Sequence, residues 1–172
     1  ADLYVGGRAP VGQRKLIRFD AATLAQLAVS PAGTGNYVGL VRDVADTGST
    51  DLWAAYSDGS SMKVQRLDGQ TLMPLQTDVT LSPAVTGRHQ KRSLAKDGSA
   101  FYAIAITSDT KRLIIQKYDT SLAPIGTPLV MNDRLYLDGG SIVYSPFNAR
   151  IYVTAVASSP TASGYSMPNN IA

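Results

Sequence analysis

The sequence predicts an all-β fold, a β-propeller of about three and a half four-stranded antiparallel blades. Two observations predict it. Side-chain types recur at a spacing of 49 to 50 residues along the chain, which is the length of a four-stranded blade. All 13 acidic residues are Asp and none is Glu, so a strong helix former is missing while a turn former is abundant. Together they favour short strands joined by tight turns.

An apolar-aromatic run marks each repeat. The four copies read Leu3-Tyr4-Val5, Leu52-Trp53-Ala54, Phe101-Tyr102-Ala103 and Ile151-Tyr152-Val153. Each copy opens an apolar segment bounded by Gly, Ser or Asp, which is typical of a buried strand. We interpret the central aromatic residues as packing between blades, with a stacking platform for sugars as the alternative.

A second run follows the first in three repeats, and in it apolar and polar residues alternate as in a strand with one buried face. It spans Leu16–Asp20, Val64–Asp68 and Ile115–Asp119. The basic residues in it are predicted at exposed strand positions: Arg18, Arg66 and Lys117. Asp closes every copy, and we predict that each carboxylate accepts backbone N–H bonds in a hairpin turn. The alternative is a ring of Asp20, Asp68 and Asp119 that holds a cation.

A third run, a short strand and a turn, precedes the first in the later repeats. One repeat is therefore four antiparallel strands, and we expect three strands in residues 2–30, four in 36–80, four in 85–131 and at least two in 139–158. Residues 1–158 form the partial propeller. For the Ser-, Pro- and Asn-rich tail, 159–172, one strand near Tyr165 and disorder both stay open.

Closing a propeller takes roughly four to eight blades, so this chain alone is not expected to close. Either the blades belong to a longer polypeptide or other chains complete the ring. In one possible arrangement, an orphan strand at 139–145 joins the strands of residues 2–30 in a second chain, since bare sheet edges favour pairing.

Two segments, residues 93–105 and 143–155, resemble the repeat of YVTN-type bacterial propellers. They carry the turn and strand Lys96-Asp97-Gly98 to Phe101-Tyr102-Ala103 and, in the later copy, Ser145-Pro146 to Ile151-Tyr152-Val153. Phe147-Asn148 replaces the Asp-Gly turn in that later copy. Related patterns occur in NHL, quinoprotein-like and lactonase propellers, so the resemblance implies the fold and no particular function.

Composition restricts the chemistry. The chain has no Cys and a single His, which excludes disulfides, thiol nucleophiles and any site with two imidazoles from one chain. It has no phosphate-binding Gly loop and no nucleophile elbow. We predict no catalytic residue, no metal ligand and no cofactor. No apolar run approaches the roughly 20 residues of a membrane span.

The densest charge lies at Arg88, His89, Lys91 and Arg92. We regard these four residues as the candidate ligand- or anion-binding site, with a solvated loop as the alternative. No aromatic residue is interleaved for base stacking, and the net charge is only +3, which argues against nucleic acid.

These observations predict a non-catalytic binding or structural module, part of a larger protein or assembly with protein partners or self-association. A bacterial envelope or secreted protein and a phage virion component are both compatible with the composition. One alternative is a fragment of a lactonase-like or quinoprotein-like enzyme, which requires Asp or Asn side chains that converge on the axis. Another is a carbohydrate-binding propeller, which requires Trp53 or several tyrosines exposed between blades.

Overall fold

The computed structural model describes residues 1–8, 13–42, 50–57, 61–81, 87–88, 93–107, 110–131, 135–138 and 140–158. Over these ranges the regular structure consists of seventeen strands, β1 to β17, and every pair of neighbouring strands is antiparallel. None of the described segments forms a helix with the length and apolar character that crossing a membrane requires. The predicted all-β fold is confirmed.

Blade 1 contains β1 (Asp2–Arg8), β2 (Gln13–Asp20), β3 (Gln26–Val29) and β4 (Gly33–Thr34). The sheet order is β1-β2-β3, and β4 pairs with the beginning of β2. Because Leu3 of β1 pairs with Phe19 of β2 in the register that Leu52 and Leu67 share in the next blade, β1 and β2 correspond to the second and third strands of a blade.

Blades 2 and 3 are complete. Blade 2 has the order β5 (Asn36–Arg42), β6 (Leu52–Ser57), β7 (Met62–Leu67) and β8 (Val79–Thr80). Blade 3 has the order β10 (Leu94–Lys96), β11 (Phe101–Thr107), β12 (Leu113–Tyr118) and β13 (Pro124–Met131), and β9 (Gly87–Arg88) pairs with the far end of β11. The four strands β5 to β8 match the prediction for residues 36–80, and the four strands β10 to β13 match the prediction for residues 85–131.

Blade 4 contributes β14 (Leu135–Asp138), β15 (Ile142–Ser145), β16 (Arg150–Val153) and β17 (Val156–Ser158). β15 pairs with β16, and β14 pairs with β17. In blade 3, β10 and β9 pair in the same way with the two ends of a single strand, β11. These segments therefore occupy the first two strand positions of a blade. The expectation of an orphan strand at 139–145 was wrong, because β15 finds its partner in the next hairpin of the same chain.

Adjacent blades pack face to face over apolar cores. The core between blades 1 and 2 contains Leu16, Leu52, Ala54, Leu67 and Leu72. Between blades 2 and 3, the Trp53 and Phe101 rings lie 4.8 Å apart in an edge-to-face arrangement. Tyr102 packs against the core between blades 3 and 4. Tyr4 packs against the core between blades 1 and 2, so three of the four central aromatic residues serve as inter-blade packing, as predicted, whereas Tyr152 is 40% exposed.

The Asp that closes the second run ties its own hairpin in three repeats. The Oδ1 atom of Asp20 accepts from the backbone N–H of Ala22 and Thr23 at 2.9 and 2.8 Å, and Asp68 accepts from Gln70 and Thr71 at 2.8 and 2.7 Å. Asp119 does the same in the shorter third copy. The predicted hairpin role of these carboxylates is confirmed.

One buried cation joins blades 1 and 2. The Arg14 guanidinium lies 3.5 Å from the centroid of the Tyr56 ring, and it donates to the carbonyl of Thr34 and, at 3.5 Å, to the carboxylate of Asp78. The Tyr56 hydroxyl donates to the same carboxylate at 2.5 Å. This arrangement clamps β2 of blade 1 onto the outer part of blade 2.

Candidate functional site

The first strands of blades 2, 3 and 4 lie side by side, β5 next to β10 and β10 next to β15. First strands gather in this way around the axis of a propeller. Between them lies a pocket of about 310 Å³, which we call the axial pocket; it is lined by Leu40, Val41, Arg42, Leu94, Ala95, Lys96, Ile142, Val143, Tyr144 and Pro146.

The lining is built from one structural unit used three times. Arg42, Lys96 and Tyr144 are equivalent, because they pair across the sheet with Leu52, Phe101 and Ile151, the first residues of the apolar-aromatic runs. The two residues before each of them are apolar and also line the pocket. Each blade therefore contributes two apolar side chains followed by one hydrogen-bond donor.

The donors of the pocket differ in their surroundings. Arg42 is exposed at the end of β5. Lys96 is half-buried; its Nζ donates to the carbonyl of Gly98 at 3.0 Å and lies 5.5 Å from the centroid of the Phe101 ring. Tyr144 is half-buried. Two positive charges and one hydroxyl thus lie around a largely apolar wall.

The acidic residue next to Lys96 is engaged in its own turn. Asp97 accepts hydrogen bonds from Ser99, from the Ala100 N–H and from the Tyr102 hydroxyl, the last at 2.7 Å. Burial raises the pKa of Asp97, but these hydrogen bonds outweigh it, so its pKa lies below the ordinary value. Burial, together with the bond to Asp97, raises the pKa of Tyr102 to about 12. The carboxylate therefore stays ionised, paired with a neutral phenol.

In blades 2 and 3, three apolar residues are buried against the preceding blade. They are Leu52, Leu67 and Leu72 in blade 2 and the equivalent Phe101, Tyr118 and Leu122 in blade 3. In blade 1 the equivalent residues are Leu3, 45% exposed, Phe19, half-buried, and Leu24, 65% exposed. We call these three residues the leading face.

Blade 4 exposes the residues that blades 2 and 3 pack against the blade that follows them. Trp53 and Val41 of blade 2 pack toward blade 3, and Tyr102 and Ala95 of blade 3 pack toward blade 4. Their equivalents in blade 4, Tyr152 and Val143, are 40% and 54% exposed. We call these two residues the trailing face. The two faces are the two halves of one inter-blade interface.

The predicted anion site falls almost entirely outside the described residues. The backbone of Arg88 belongs to β9, while its side chain and the residues His89, Lys91 and Arg92 lie outside that part of the chain, so this site stays a prediction. Among the described residues no three His, Cys, Asp or Glu side chains gather as a metal site would require. Asp20, Asp68 and Asp119 are each bound within separate hairpins, not in a common ring.

Two of the three basic strand residues are less exposed than predicted. Arg18 and Arg66 are half-buried, and only Lys117 is exposed. Arg18 binds Asp2 and the carbonyl of Gln70, and Arg66 pairs with Asp51 above the Trp53 ring. The alternation predicted the correct sheet face, but ion pairs, and for Arg66 also the Trp53 ring of the neighbouring strand, cover part of these long side chains.

The sequence matches no protein-family model and no curated protein. Among solved structures, a chain of hydrazine synthase from Kuenenia stuttgartiensis is similar over 96% of this chain, with a TM-score of 0.69 and 15% identity. A bifunctional GH43-CE protein from Bacteroides eggerthii is similar over 90%, with a TM-score of 0.53 and 14% identity. This chain covers 44% and 21% of the two proteins. At such identities the likeness is one of fold, and the chain is a partial β-propeller.

Proposed function

We propose that this chain is a non-catalytic binding or structural module that works as part of a larger protein or assembly. The observation that carries the proposal is the pair of unlike exposed faces at its two ends. Leu3 and Leu24 repeat the residues by which blades 2 and 3 contact the blade before them, and Tyr152 repeats the residue that contacts the blade after. Further propeller blades are therefore the partner that fits both faces.

Self-association supplies such blades without any other component. Burying a large apolar side chain contributes roughly 1.5–3 kcal/mol, and each contact between a trailing and a leading face buries several. Bare interface residues of this kind mark association surfaces on otherwise soluble proteins. We therefore expect copies of the chain to associate with the trailing face of one against the leading face of the next.

The test is the native mass measured by light scattering after size exclusion. We expect a discrete particle at a multiple of 18.2 kDa. Leu3→Lys and Tyr152→Lys place a charge in the interface and should each shift the particle toward the monomer. Met73→Lys is the matched control, since Met73 is 53% exposed but lies in the hairpin turn of blade 2.

A folded wild-type chain that runs as a monomer would contradict association through these faces. So would a mass that responds equally to all three substitutions. Circular dichroism of each variant separates loss of assembly from loss of fold.

The carbohydrate-binding alternative loses its main requirement. It needs Trp53 or several tyrosines exposed between blades, whereas Trp53 is buried against Phe101. Among the four repeat aromatics, Trp53 is buried, Tyr4 and Tyr102 are half-buried, and Tyr152, on the trailing face, is 40% exposed.

A further inference from the structure

Two apolar residues on the outermost strand of blade 3 are exposed, although their equivalents in the earlier blades are covered. Val79 on β8 packs against the core between blades 2 and 3, and Ala28 on β3 packs against the core between blades 1 and 2. Leu129 and Ile125 on β13 are their equivalents, since each pairs across the sheet with the corresponding residue of the second run. Leu129 is 59% exposed and Ile125 is 45% exposed. We call Ile125 and Leu129 the outer patch.

The earlier interfaces show which element covers this position. The covering residues come from the third strand of the next blade and from the hairpin turn after it. They are Leu67 and Leu72 over blade 1, and Tyr118 and Leu122 over blade 2. In blade 4 the described strands occupy the first two positions, so no third strand covers the outer patch within the part of the chain that the structure describes.

Residues 159–172 lie outside the described residues, and their sequence carries apolar side chains at the spacing that the repeat requires. The last apolar residue of the third strand follows the first residue of the apolar-aromatic run by 16, 15 and 17 residues in blades 1 to 3: Phe19, Leu67 and Tyr118. The leucine of the hairpin follows by 21, 20 and 21 residues: Leu24, Leu72 and Leu122. Counted from Ile151, Met167 follows by 16 residues and Ile171 by 20. The segment therefore repeats both contacts that close an inter-blade core.

The segment also begins beside the site. Four or five residues connect the second and third strands in blades 1 to 3, and residues 159–162 supply a connection of that length after β17. Tyr165 and Met167 are two residues apart, so in an extended strand they share one face. A tethered segment has a far higher effective concentration at its site than a separate chain has.

We propose that residues 159–172 dock on the outer patch as the third strand and hairpin of blade 4, with Met167 and Ile171 covering Ile125 and Leu129. The occupant of the patch is thus a segment of the same chain. This inference goes beyond the association proposed above and does not rest on it, since docking needs one chain only.

The test is paramagnetic broadening in two-dimensional amide NMR of the full chain. The sequence has no Cys, so Asn170→Cys accepts a single nitroxide label next to Ile171. Leu3→Lys is included to keep copies apart, which makes the result independent of the native-mass experiment. We expect the label to broaden the amide resonances of β13 and to leave those of β3, an outer strand of blade 1, unchanged.

Two neighbouring residues of β13 provide the matched comparison. Leu129 belongs to the outer patch, whereas Val130 is 40% exposed and points to the opposite face of the sheet. Leu129→Ser should lower the ratio of docked to undocked segment by about tenfold, because an apolar contact is lost. Val130→Ser should leave that ratio unchanged. Met167→Ser removes the same contact from the side of the segment and should match Leu129→Ser.

The proposal is overturned if β13 is not broadened, or if β3 is broadened as strongly. Equal effects of Leu129→Ser and Val130→Ser would also overturn it. A mixture of labelled chains with unlabelled, isotope-enriched chains identifies which chain supplies the segment. Broadening of β13 in the unlabelled chains would assign the segment to a second copy and would contradict docking within one chain.

Discussion

Three leucines in the chain adopt a backbone conformation that leucine ordinarily avoids. Leu24, Leu72 and Leu122 have φ of 57°, 61° and 67°, and each follows the Asp turn of its repeat. The N–H of each donates to the carbonyl of the turn Asp. The left-handed conformation costs roughly 1–2 kcal/mol for a residue with a Cβ. Leu72 and Leu122 offset this cost because their side chains are buried in the interface with the preceding blade.

Substitution of these leucines by glycine distinguishes the cost of the left-handed backbone from the gain of burying the side chain. Leu72→Gly relieves the strain but leaves a cavity, so we expect a loss of about 2–3 kcal/mol in the free energy of unfolding. Leu24→Gly removes an exposed side chain, and we expect a change within about 1 kcal/mol. Urea unfolding in a Tyr152→Lys background, where the leading face stays unaltered but association is blocked, makes the comparison. Equal losses at the two positions would show that burial against the preceding blade is not what holds Leu72.

The turn carboxylates make stability depend on pH. Hydrogen bonds from Thr23, from Thr71 and from Ser121 lower the pKa of Asp20, Asp68 and Asp119 respectively. Because the pKa of each is lower in the folded than in the unfolded chain, their contribution is present above pH of about 4 and is lost as the pH falls through the folded-state pKa.

We therefore expect the urea midpoint to fall as the pH is lowered below about 4. The triple variant with Asn at residues 20, 68 and 119 should fall less steeply over the same range. Some acid sensitivity should remain, since the pKa of Asp97 is lowered too. A triple variant as acid-sensitive as the wild type would contradict this assignment.

At the scale of elements, the strands that face a core on at least one side were predictable. The alternating run that ends at Asp20 lies in β2, and the run that ends at Asp119 lies in β12 up to Tyr118, because the side-chain period of two is imposed by burial on one face. The two-residue strands β4 and β9 were not predicted, and β8, the fourth strand of blade 2, was predicted without bounds, since two residues carry no period. Blade 4 is split into the pairs β15–β16 and β14–β17, the second with a register irregularity between Tyr136 and Asp138, and no side-chain pattern marks either feature.

The axial pocket is another feature that the sequence did not predict. The first strands were recognisable before each apolar-aromatic run, but nothing in them says that Arg42, Lys96 and Tyr144 share one cavity. That depends on the angle at which blades pack, which is set by the whole interface. The Arg14 clamp was missed for a related reason, because its partner Asp78 lies in an irregular segment of another blade.

The clamp yields a prediction about how blades are joined. Arg14→Ala leaves the Asp78 carboxylate without its cation and removes the contact with Tyr56, so we expect about 3 kcal/mol of destabilisation. Arg66→Ala is the comparison, because the Arg66–Asp51 pair is more exposed and lies within blade 2; about 1 kcal/mol or less is expected there. Equal costs in urea unfolding would argue that the clamp adds nothing beyond an ordinary ion pair.

At the scale of the whole molecule, the inter-blade cores, the axial pocket and the two end faces are all built from the same repeated strand positions. Stability in such an array is approximately a sum of blade and interface terms. The outcome of the native-mass experiment therefore bears on the fold as well as on partners, since each added interface should stabilise the blades that form it.

The leading and trailing faces are unlike surfaces, and this bears on whether an assembly of copies closes. Contact between unlike surfaces is heterologous, so every copy that joins leaves one of each surface free for another. Such a series stops only when the rotation from copy to copy returns the last trailing face to the first leading face. Otherwise it continues as an open filament. If copies associate as proposed, the packing angle between blades, to which the contact of Trp53 with Phe101 contributes, decides between a finite ring and a fibre.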